Sequence, residues 1–169
     1  MAGSGPVTGH PNPPEQLRQL DFLLGHVECV GRPRPDGAPP TVMRMHGVPT
    51  LGGHCYQVDV TWPGAAAGRW TFGWNPVDGE FGVHYVADSG SRGTGSSPGW
   101  RDGELVVTGH YAVAELGAHR YVRDVFRRLD DDRFVSDSSV RATPDEEWRP
   151  LDIYECRRVG DPTAGRSNP

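Results

Sequence analysis

Four of the seven histidines lie in segments that alternate like β-strands, and histidine is the side chain best suited to exchange a proton near neutral pH. These four are His46, His54, His84 and His110. His54 follows Leu-Gly-Gly and shares a predicted strand face with Tyr56. Such a pair suits enolisation, isomerisation or cyclisation of a bound molecule. We predict His54, Tyr56 and Tyr85 as catalytic residues; the alternative is that His54 is a hydrogen-bonded structural residue.

Other reactive side chains carry less specific patterns. The segment GHVECVG at 25–31 places His26, Glu28 and Cys29 within four positions, and we interpret it as the start of the first strand. The three cysteines are far apart and form no CxxC, which argues against a disulfide framework and structural zinc. No two strand histidines have i, i+2 spacing, so no metal site is predicted. All 17 cationic residues are arginine, which excludes lysine chemistry.

Several function classes lack their signatures. The sequence has no Gly-x-Ser-x-Gly elbow, phosphate loop, dinucleotide fingerprint or HExxH. A net charge of −5 argues against a nucleic-acid partner, which needs a basic surface. No apolar run reaches about 18 residues and no signal-peptide pattern opens the chain, so we expect no membrane partner and a cytoplasmic location.

The elements that would position these residues are mostly strands. Gly/Pro-rich segments at 1–13 and 160–169 are predicted to be disordered tails, with one domain at 14–159. Leucines at helical spacing predict a short helix at 14–24, lying across one end of the following sheet. Nine or ten short strands follow. The fold class is therefore all-β: an antiparallel meander closed into a lipocalin-like barrel of about eight to ten strands.

Aromatic residues recur on one parity of these strands. A barrel of this size holds a small ligand, and ligand pockets are commonly lined by aromatic rings. The alternative is that the rings only fill the core. The glycine-rich segment 90–97 is predicted to be a mobile loop at the barrel mouth, suited to act as a lid. The predicted substrate-binding residues are Trp62, Trp70, Phe72, Trp74, Phe81, His84, His110 and Arg123.

The choice of inner face has an alternative. If the faces are inverted, the inner set becomes Cys55, Asp59, His84 and His110. Arg123 and Asp124 cannot share a face, because neighbouring residues on a strand point in opposite directions, so one of the two is interior. A buried arginine would need a carboxylate partner or an anionic ligand.

The order of segments resembles a family of lipocalin-like β-barrel proteins, known mainly as a bacterial domain of unknown function. The family pattern is FLLG, LGGR(F/Y)L, FGYDP-x-x-G, D-G-x-L-x-L-x-G and a final W-x-P strand. The corresponding segments here are FLLG at 22–25, LGGHCYQ at 51–57, FGWNPVDGEF at 72–81, DGELVVTG at 102–109, RLDDDRF at 128–134 and WRPLDIYECRR at 148–158. His54 stands where the family has arginine. The resemblance implies a barrel with a pocket and supplies no reaction.

A more distant similarity to nitrobindin-like barrels concerns the first strand. In those folds a tryptophan plugs the closed end, and Val27 stands at that position here, which predicts a wider end. Nitrobindins bind haem through a histidine near the last strand. The segment LDIYECRRV has none, so haem is not expected, and no other cofactor is predicted.

These observations favour a cofactor-independent cyclase or isomerase acting on a hydrophobic, natural-product-type substrate in the barrel. The composition, rich in Arg, Gly, Pro and Ala, resembles that of actinobacterial proteins. The alternative is a non-catalytic carrier for a hydrophobic small molecule. A third hypothesis is a structural homodimer that pairs through an exposed sheet face.

Overall fold

A computed structural model describes residues 11–32, 37 and 39–161 of the chain. Most of the two predicted tails, at 1–10 and 162–169, lies outside the described residues, and so does part of the proline-rich segment after the first strand. In the described part, no helix has the length and apolar character needed to cross a membrane.

The described residues form an antiparallel barrel, which confirms the predicted fold class. Each strand pairs with its neighbour in sequence, with one exception. The sixth strand pairs with the eighth, because the seventh has only two residues and pairs with the eighth alone. Pairing between the first and last strands closes the barrel, whose ring contains ten strands because the two-residue seventh strand is not part of it. The strands are β1 (Gly25–Gly31), β2 (Val42–Thr50), β3 (Cys55–Trp62), β4 (Ala66–Asn75), β5 (Glu80–Ala87), β6 (Arg92–Ser97), β7 (Trp100–Arg101), β8 (Glu104–Val113), β9 (Ala118–Arg128), β10 (Arg133–Arg141) and β11 (Arg149–Val159).

The predicted inner face is correct. Tyr56, Val58 and Val60 on β3 are buried, as are Phe72 on β4 and Phe81 on β5. Because side chains alternate along a strand, the residues between them face outward. The inverted assignment of faces is therefore wrong.

The glycine-rich segment 90–97 is mostly strand β6, so its prediction as a mobile loop is wrong. Gly93 lies in register between Tyr85 on β5 and Tyr111 on β8, and the two rings meet with centroids 6.1 Å apart. A Cβ atom at Gly93 would lie 2.5 Å from the Tyr111 ring. Glycine here makes room inside a narrow barrel; it does not mark a flexible loop.

The N-terminal helix closes one end of the barrel, as the sequence predicted. It is a 3₁₀ helix over Glu15–Leu23 that buries Leu17, Leu20, Phe22 and Leu23. The Phe22 ring packs against Trp100, Phe126 and Phe134 with centroid distances of 5.0–5.6 Å. This aromatic cluster fills the end of the barrel at which Val27 predicted a wider opening.

The helix is held in place at its C-terminal end. Arg158 on the last strand donates hydrogen bonds to the carbonyl oxygens of Leu24 at 2.6 Å and Asp21 at 3.2 Å. The bond to Leu24 supplies a donor to a carbonyl at the helix end, and the bond to Asp21 is a second one on a carbonyl that already accepts from the Leu24 amide. Gly47 on β2 allows the close approach, because a Cβ there would lie 1.9 Å from the Leu23 carbonyl oxygen.

A disulfide joins Cys29 on β1 to Cys156 on β11, so the expectation against disulfides is wrong. The two residues are 127 positions apart in sequence but directly opposed in register, with Cα atoms 3.9 Å apart. Only closure of the barrel makes them neighbours, which spacing alone does not reveal. Disulfides are typical of oxidising compartments, and the cytoplasmic location remains a prediction.

Candidate functional site

A cavity of about 180 Å³ lies inside the barrel, at the end opposite the 3₁₀ helix. It is formed where β3, β5 and β8 end and where β4, β9 and β11 begin. Its walls combine aromatic rings, small apolar groups and several carboxylates and hydroxyls. The lining residues are Met43, Trp62, Trp70, Tyr85, Ser91, Tyr111, Ala112, Val113, Glu115, Val122, Asp124, Ser136, Ser138, Leu151, Asp152 and Tyr154.

Aromatic rings form most of one wall. The Trp70 ring packs against Tyr85 with a centroid distance of 5.6 Å, and Tyr85 packs in turn against Tyr111. The indole nitrogen of Trp62 donates a 3.1 Å hydrogen bond to the hydroxyl of Tyr154. These contacts fix the ring orientations, so this wall presents a preformed apolar surface to a ligand.

Asp124 on β9 supplies a carboxylate from the opposite wall. It is 7% exposed, and its carboxylate accepts a 2.5 Å hydrogen bond from the hydroxyl of Ser138. Burial raises the pKa of Asp124 to about 6; the Ser138 hydrogen bond opposes that shift, and the charges of Asp137 and Asp152 add to it. A carboxyl group with a pKa near neutrality can accept or release a proton under physiological conditions.

Tyr111 on β8 has a buried hydroxyl without a hydrogen-bond partner among the described residues. The residue is 5% exposed. Burial raises the pKa of Tyr111, and the negative charge of Asp124 raises it further, so the phenol stays protonated. Leaving such a group unpaired costs about 1–3 kcal/mol, and a ligand or water in the cavity would satisfy it.

Tyr85 is the second phenol of the wall. Burial raises the pKa of Tyr85 to about 12, with further contributions from the charges of Glu115 and Asp124. Tyr85, Tyr111 and Asp124 line one volume, and the charge of Asp124 raises the pKa of both phenols. Neutral phenols can donate a hydrogen bond to a ligand or stabilise charge that develops on it.

Two more carboxylates lie at the exposed rim of the cavity, Glu115 and Asp152. The hydroxyl of Ser91 donates a 2.6 Å hydrogen bond to Glu115 and accepts one of 2.7 Å from the Ala114 amide. Hydrogen bonds from Ser89 and Ser91 lower the pKa of Glu115, which stays ionised. No Arg, Lys or His is among the described residues that line the cavity, so its walls are acidic as well as aromatic.

Three of the predicted site residues line this cavity: Tyr85, Trp62 and Trp70. Phe72 and Phe81 are buried in the core, and Trp74 packs on Phe81 with a centroid distance of 5.0 Å. These last three face inward as predicted but do not line the cavity.

The other two predicted catalytic residues lie at the closed end. His54 follows the single 3₁₀ turn Leu51–Gly53, and its Nε2 atom lies 2.9 Å from the carbonyl oxygen of Pro11. The hydroxyl of Tyr56 donates a 2.7 Å hydrogen bond to Asp21 of the helix. The structure therefore does not bring His54 and Tyr56 together with Tyr85 around the cavity.

His84, His110 and Arg123 lie on the outer surface of the barrel and do not line the cavity. His84 and His110 are exposed, and the His110 ring stacks on His119 with a centroid distance of 5.3 Å. Because Asp124 faces inward, its neighbour Arg123 points outward. Of the two charged neighbours, the carboxylate is the interior one.

Sequence reasoning did not assign Asp124, Tyr111, Ser136, Ser138 and Tyr154 to the site. A usable signal was the alternation of Val122, Asp124 and Phe126, which places the carboxylate on the apolar parity of β9. The same alternation on β10 links Ser136 and Ser138 to the buried Phe134.

A larger groove of about 760 Å³ lies on the outer surface over β1, β10 and β11. Charged side chains of both signs line it, including Glu28, Arg133, Glu155 and Arg157, and it has no aromatic wall comparable to that of the interior cavity. Among the described residues, no group of three or more His, Cys, Asp or Glu is arranged to hold a metal ion. The interior cavity is therefore the candidate ligand site.

Comparison with known proteins supports the fold. No family model and no curated protein matches the chain. The crystal structure of Rv2717c from M. tuberculosis superposes with a TM-score of 0.60, covering 88% of this chain and all of that one, at 12% sequence identity. A likeness at this identity establishes a shared β-barrel fold alone.

Proposed function

We propose that the protein binds a small, hydrophobic, ring-containing molecule in the cavity of its barrel. The observation that carries the proposal is the composition of the cavity wall: preoriented rings of Trp70, Tyr85 and Tyr111 face the buried polar group of Asp124 across an interior volume. An apolar pocket with a few convergent polar groups is the usual form of a small-molecule site. The shared fold with Rv2717c is consistent with membership of a lipocalin-like family, which we propose on the sequence resemblance.

The cavity volume limits the ligand. An apolar cavity of about 150 Å³ holds benzene, so about 180 Å³ accommodates one ring with a short polar arm. A larger natural product would extend beyond the rim at Glu115 and Asp152. This size favours a one-ring ligand, or a one-ring portion of a larger molecule.

A binding experiment with a cavity-filling variant tests the proposal. Three one-ring probes, phenethylamine, 2-phenylethanol and phenylacetate, are titrated calorimetrically into the wild-type protein. Val122 lines the cavity, and Val122→Phe fills part of it; Val86→Phe adds the same ring on the exposed face of β5 as a control. We expect at least one probe to bind with a Kd below about 1 mM, corresponding to about −4 kcal/mol. Binding should be lost in Val122→Phe and kept in Val86→Phe, whereas failure of all three probes would refute the proposal.

A second candidate function is cofactor-independent isomerisation or cyclisation in the same cavity. The observation that favours it is the buried carboxyl of Asp124, whose pKa of about 6 suits a general base, beside the neutral phenol of Tyr111. Asp124 would remove a proton from the bound molecule, and Tyr111 would donate a hydrogen bond to the oxygen on which charge develops. The catalytic residues of this hypothesis thus become Asp124 and Tyr111, with Tyr85 retained.

Exchange of substrate protons separates the catalyst from the carrier. A bound ketone such as phenylacetone, incubated in D₂O, should exchange its α-protons faster with the wild-type protein than with Asp124→Asn. Loss of the base should lower the rate by about 10²–10⁴-fold while binding is largely kept. Equal exchange rates for both proteins would leave only the carrier function.

A further inference from the structure

We infer that the cavity selects a small organic cation, specifically a protonated amine on a one-ring scaffold. This inference rests on the proposed function and names the ligand class of the same site. It follows from the charge of the walls, the position of the interior carboxylate and the unpaired hydroxyl beside it.

The charges around the cavity have one sign. Asp124, Glu115 and Asp152 contribute carboxylates, and no basic side chain is present among the lining residues that the structure describes. The charged groups that most affect Asp124 are Asp137 and Asp152, which are negative too. A buried carboxylate ordinarily pairs with a cation or coordinates one, so a cationic ligand would supply the missing charge.

The surrounding groups match an ammonium ion in detail. The carboxylate of Asp124 accepts hydrogen bonds, and the unpaired hydroxyl of Tyr111 can accept another from the same ligand. The aromatic residues Trp62, Trp70 and Tyr85 line the same volume, and an aromatic ring attracts a cation placed over its face. The cavity thus offers a cation an interior acid, a buried hydroxyl without a partner among the described residues and an aromatic wall.

Other ligand charges fit less well. An anion would lie beside three carboxylates without a basic group to bind it, which disfavours phenylacetate. A neutral alcohol could occupy the apolar volume and reach the same acceptors with its hydroxyl, but it would leave the charge of Asp124 unpaired. We therefore expect the order of affinity to be amine, then alcohol, then carboxylate.

The probe panel tests this order directly. At pH 8, phenethylamine should bind the wild-type protein at least about tenfold more tightly than 2-phenylethanol, and phenylacetate should bind most weakly. If none of the probes binds, the proposed function fails. If the alcohol or the carboxylate binds as tightly as the amine, the proposed function stands and the cation inference is overturned.

Matched variants locate the selectivity. Asp124→Asn keeps the size of the side chain and should weaken amine binding by about 30-fold or more, while changing alcohol binding by less than about threefold. Asp137→Asn is the control, because it removes a nearby negative charge that does not line the cavity. It should change both affinities by less than about threefold. A selectivity that survives Asp124→Asn would overturn the inference.

Two further measurements keep the test decisive should Asp124→Asn fold poorly. Tyr111→Phe removes only the unpaired hydroxyl and should weaken the amine more than the alcohol. The second measurement is the pH profile: amine affinity should fall about tenfold from pH 7 to pH 5, because Asp124 takes up a proton while the amine stays charged. The groups around the cavity that interact with Asp124 are Ser138, Asp152, Tyr85 and Tyr111, and the charge of Asp137 acts on it from the outer face of β10. A flat amine profile from pH 7 to pH 5 would contradict the inference.

Discussion

The hydroxyl of Ser138 and the carboxylate of Asp124 form a 2.5 Å hydrogen bond across neighbouring strands inside the barrel. The bond favours the ionised carboxylate, but burial favours the protonated form and is the larger effect. The barrel therefore contains a carboxyl group that binds its proton more tightly when the chain is folded. This arrangement makes the stability of the protein depend on pH.

The contribution of Asp124 to the free energy of unfolding should fall as pH rises through the range from about 4 to about 6. The pKa of an aspartate in an unfolded chain is about 3.9, and that of Asp124 in the fold is about 6. Between these values Asp124 holds more of its proton in the folded state than in the unfolded state, so its stabilising contribution declines with increasing pH. The contribution is about 3 kcal/mol, fully present below pH 4 and lost above pH 6.

Urea unfolding of wild type and Asp124→Asn at several pH values measures this contribution. The difference in the free energy of unfolding, wild type minus variant, should drop by about 3 kcal/mol between pH 4 and pH 7. Asp137→Asn, which alters a carboxylate paired with Arg127 outside the cavity, should keep most of the wild-type pH dependence, because the charge of Asp137 raises the pKa of Asp124 less than burial does. Parallel curves for wild type and Asp124→Asn would contradict the prediction.

Replacement of Gly93 by alanine should destabilise the barrel. The added Cβ would lie 2.5 Å from the Tyr111 ring and 2.6 Å from the His110 carbonyl oxygen, so both ring and backbone must move. Overpacking of this kind costs about 1–3 kcal/mol, measurable by urea unfolding. Gly82→Ala on the adjacent strand is the control, because an added Cβ there has no neighbour within 4 Å. Equal stability of the two variants would show that the Tyr85–Tyr111 contact does not depend on Gly93.

Phe22→Ala should remove the closure of the barrel end without altering the ligand site. Phe22 packs on three rings at the end opposite the cavity, and truncating a buried phenylalanine costs about 3–5 kcal/mol of unfolding free energy. Val77→Ala, at a position 90% exposed, should change stability by less than about 0.5 kcal/mol. Probe affinity measured below the melting temperature should be unchanged in both variants. A loss of affinity in Phe22→Ala would mean that the two ends are coupled.

The fold could be predicted from the sequence because alternation along one strand is a local property. Tyr56, Val58, Val60 and Trp62 on β3 identify the inner face without knowledge of any other strand. The position of a residue along the barrel axis is not local. Tyr56 and Tyr85 share the inner face, yet one contacts the plugging helix and the other lines the cavity. The reason is that Tyr56 lies near the start of β3 and Tyr85 near the end of β5, and these two strands run in the same direction.

The interior carboxylate was missed for a different reason. Arg123 and Asp124 are adjacent, and apolar residues stand on both parities of β9, so the alternation of Val122, Asp124 and Phe126 was a weak signal that the pairing of β9 with its neighbours had to complete. His54 carried a chemically attractive pattern, but it precedes β3 in a turn, so the alternation rule did not apply to it. Residue type indicated which side chains could exchange a proton, whereas position along the barrel axis decided which of them lie together around one cavity.

Reduction of the disulfide should lower the stability of the barrel without opening the cavity wall. Cys29 and Cys156 join the first and last barrel strands, and neither lines the cavity. A crosslink across 127 positions restricts the unfolded chain strongly, and losing it should cost about 2–5 kcal/mol. Urea unfolding with and without reductant measures the loss.

The double variant Cys29→Ala/Cys156→Ala should match the reduced wild type and be insensitive to reductant. Cys55→Ala, which removes only the free thiol, should retain the wild-type response. Identical unfolding curves for oxidised and reduced wild type would show that strand pairing alone closes the barrel.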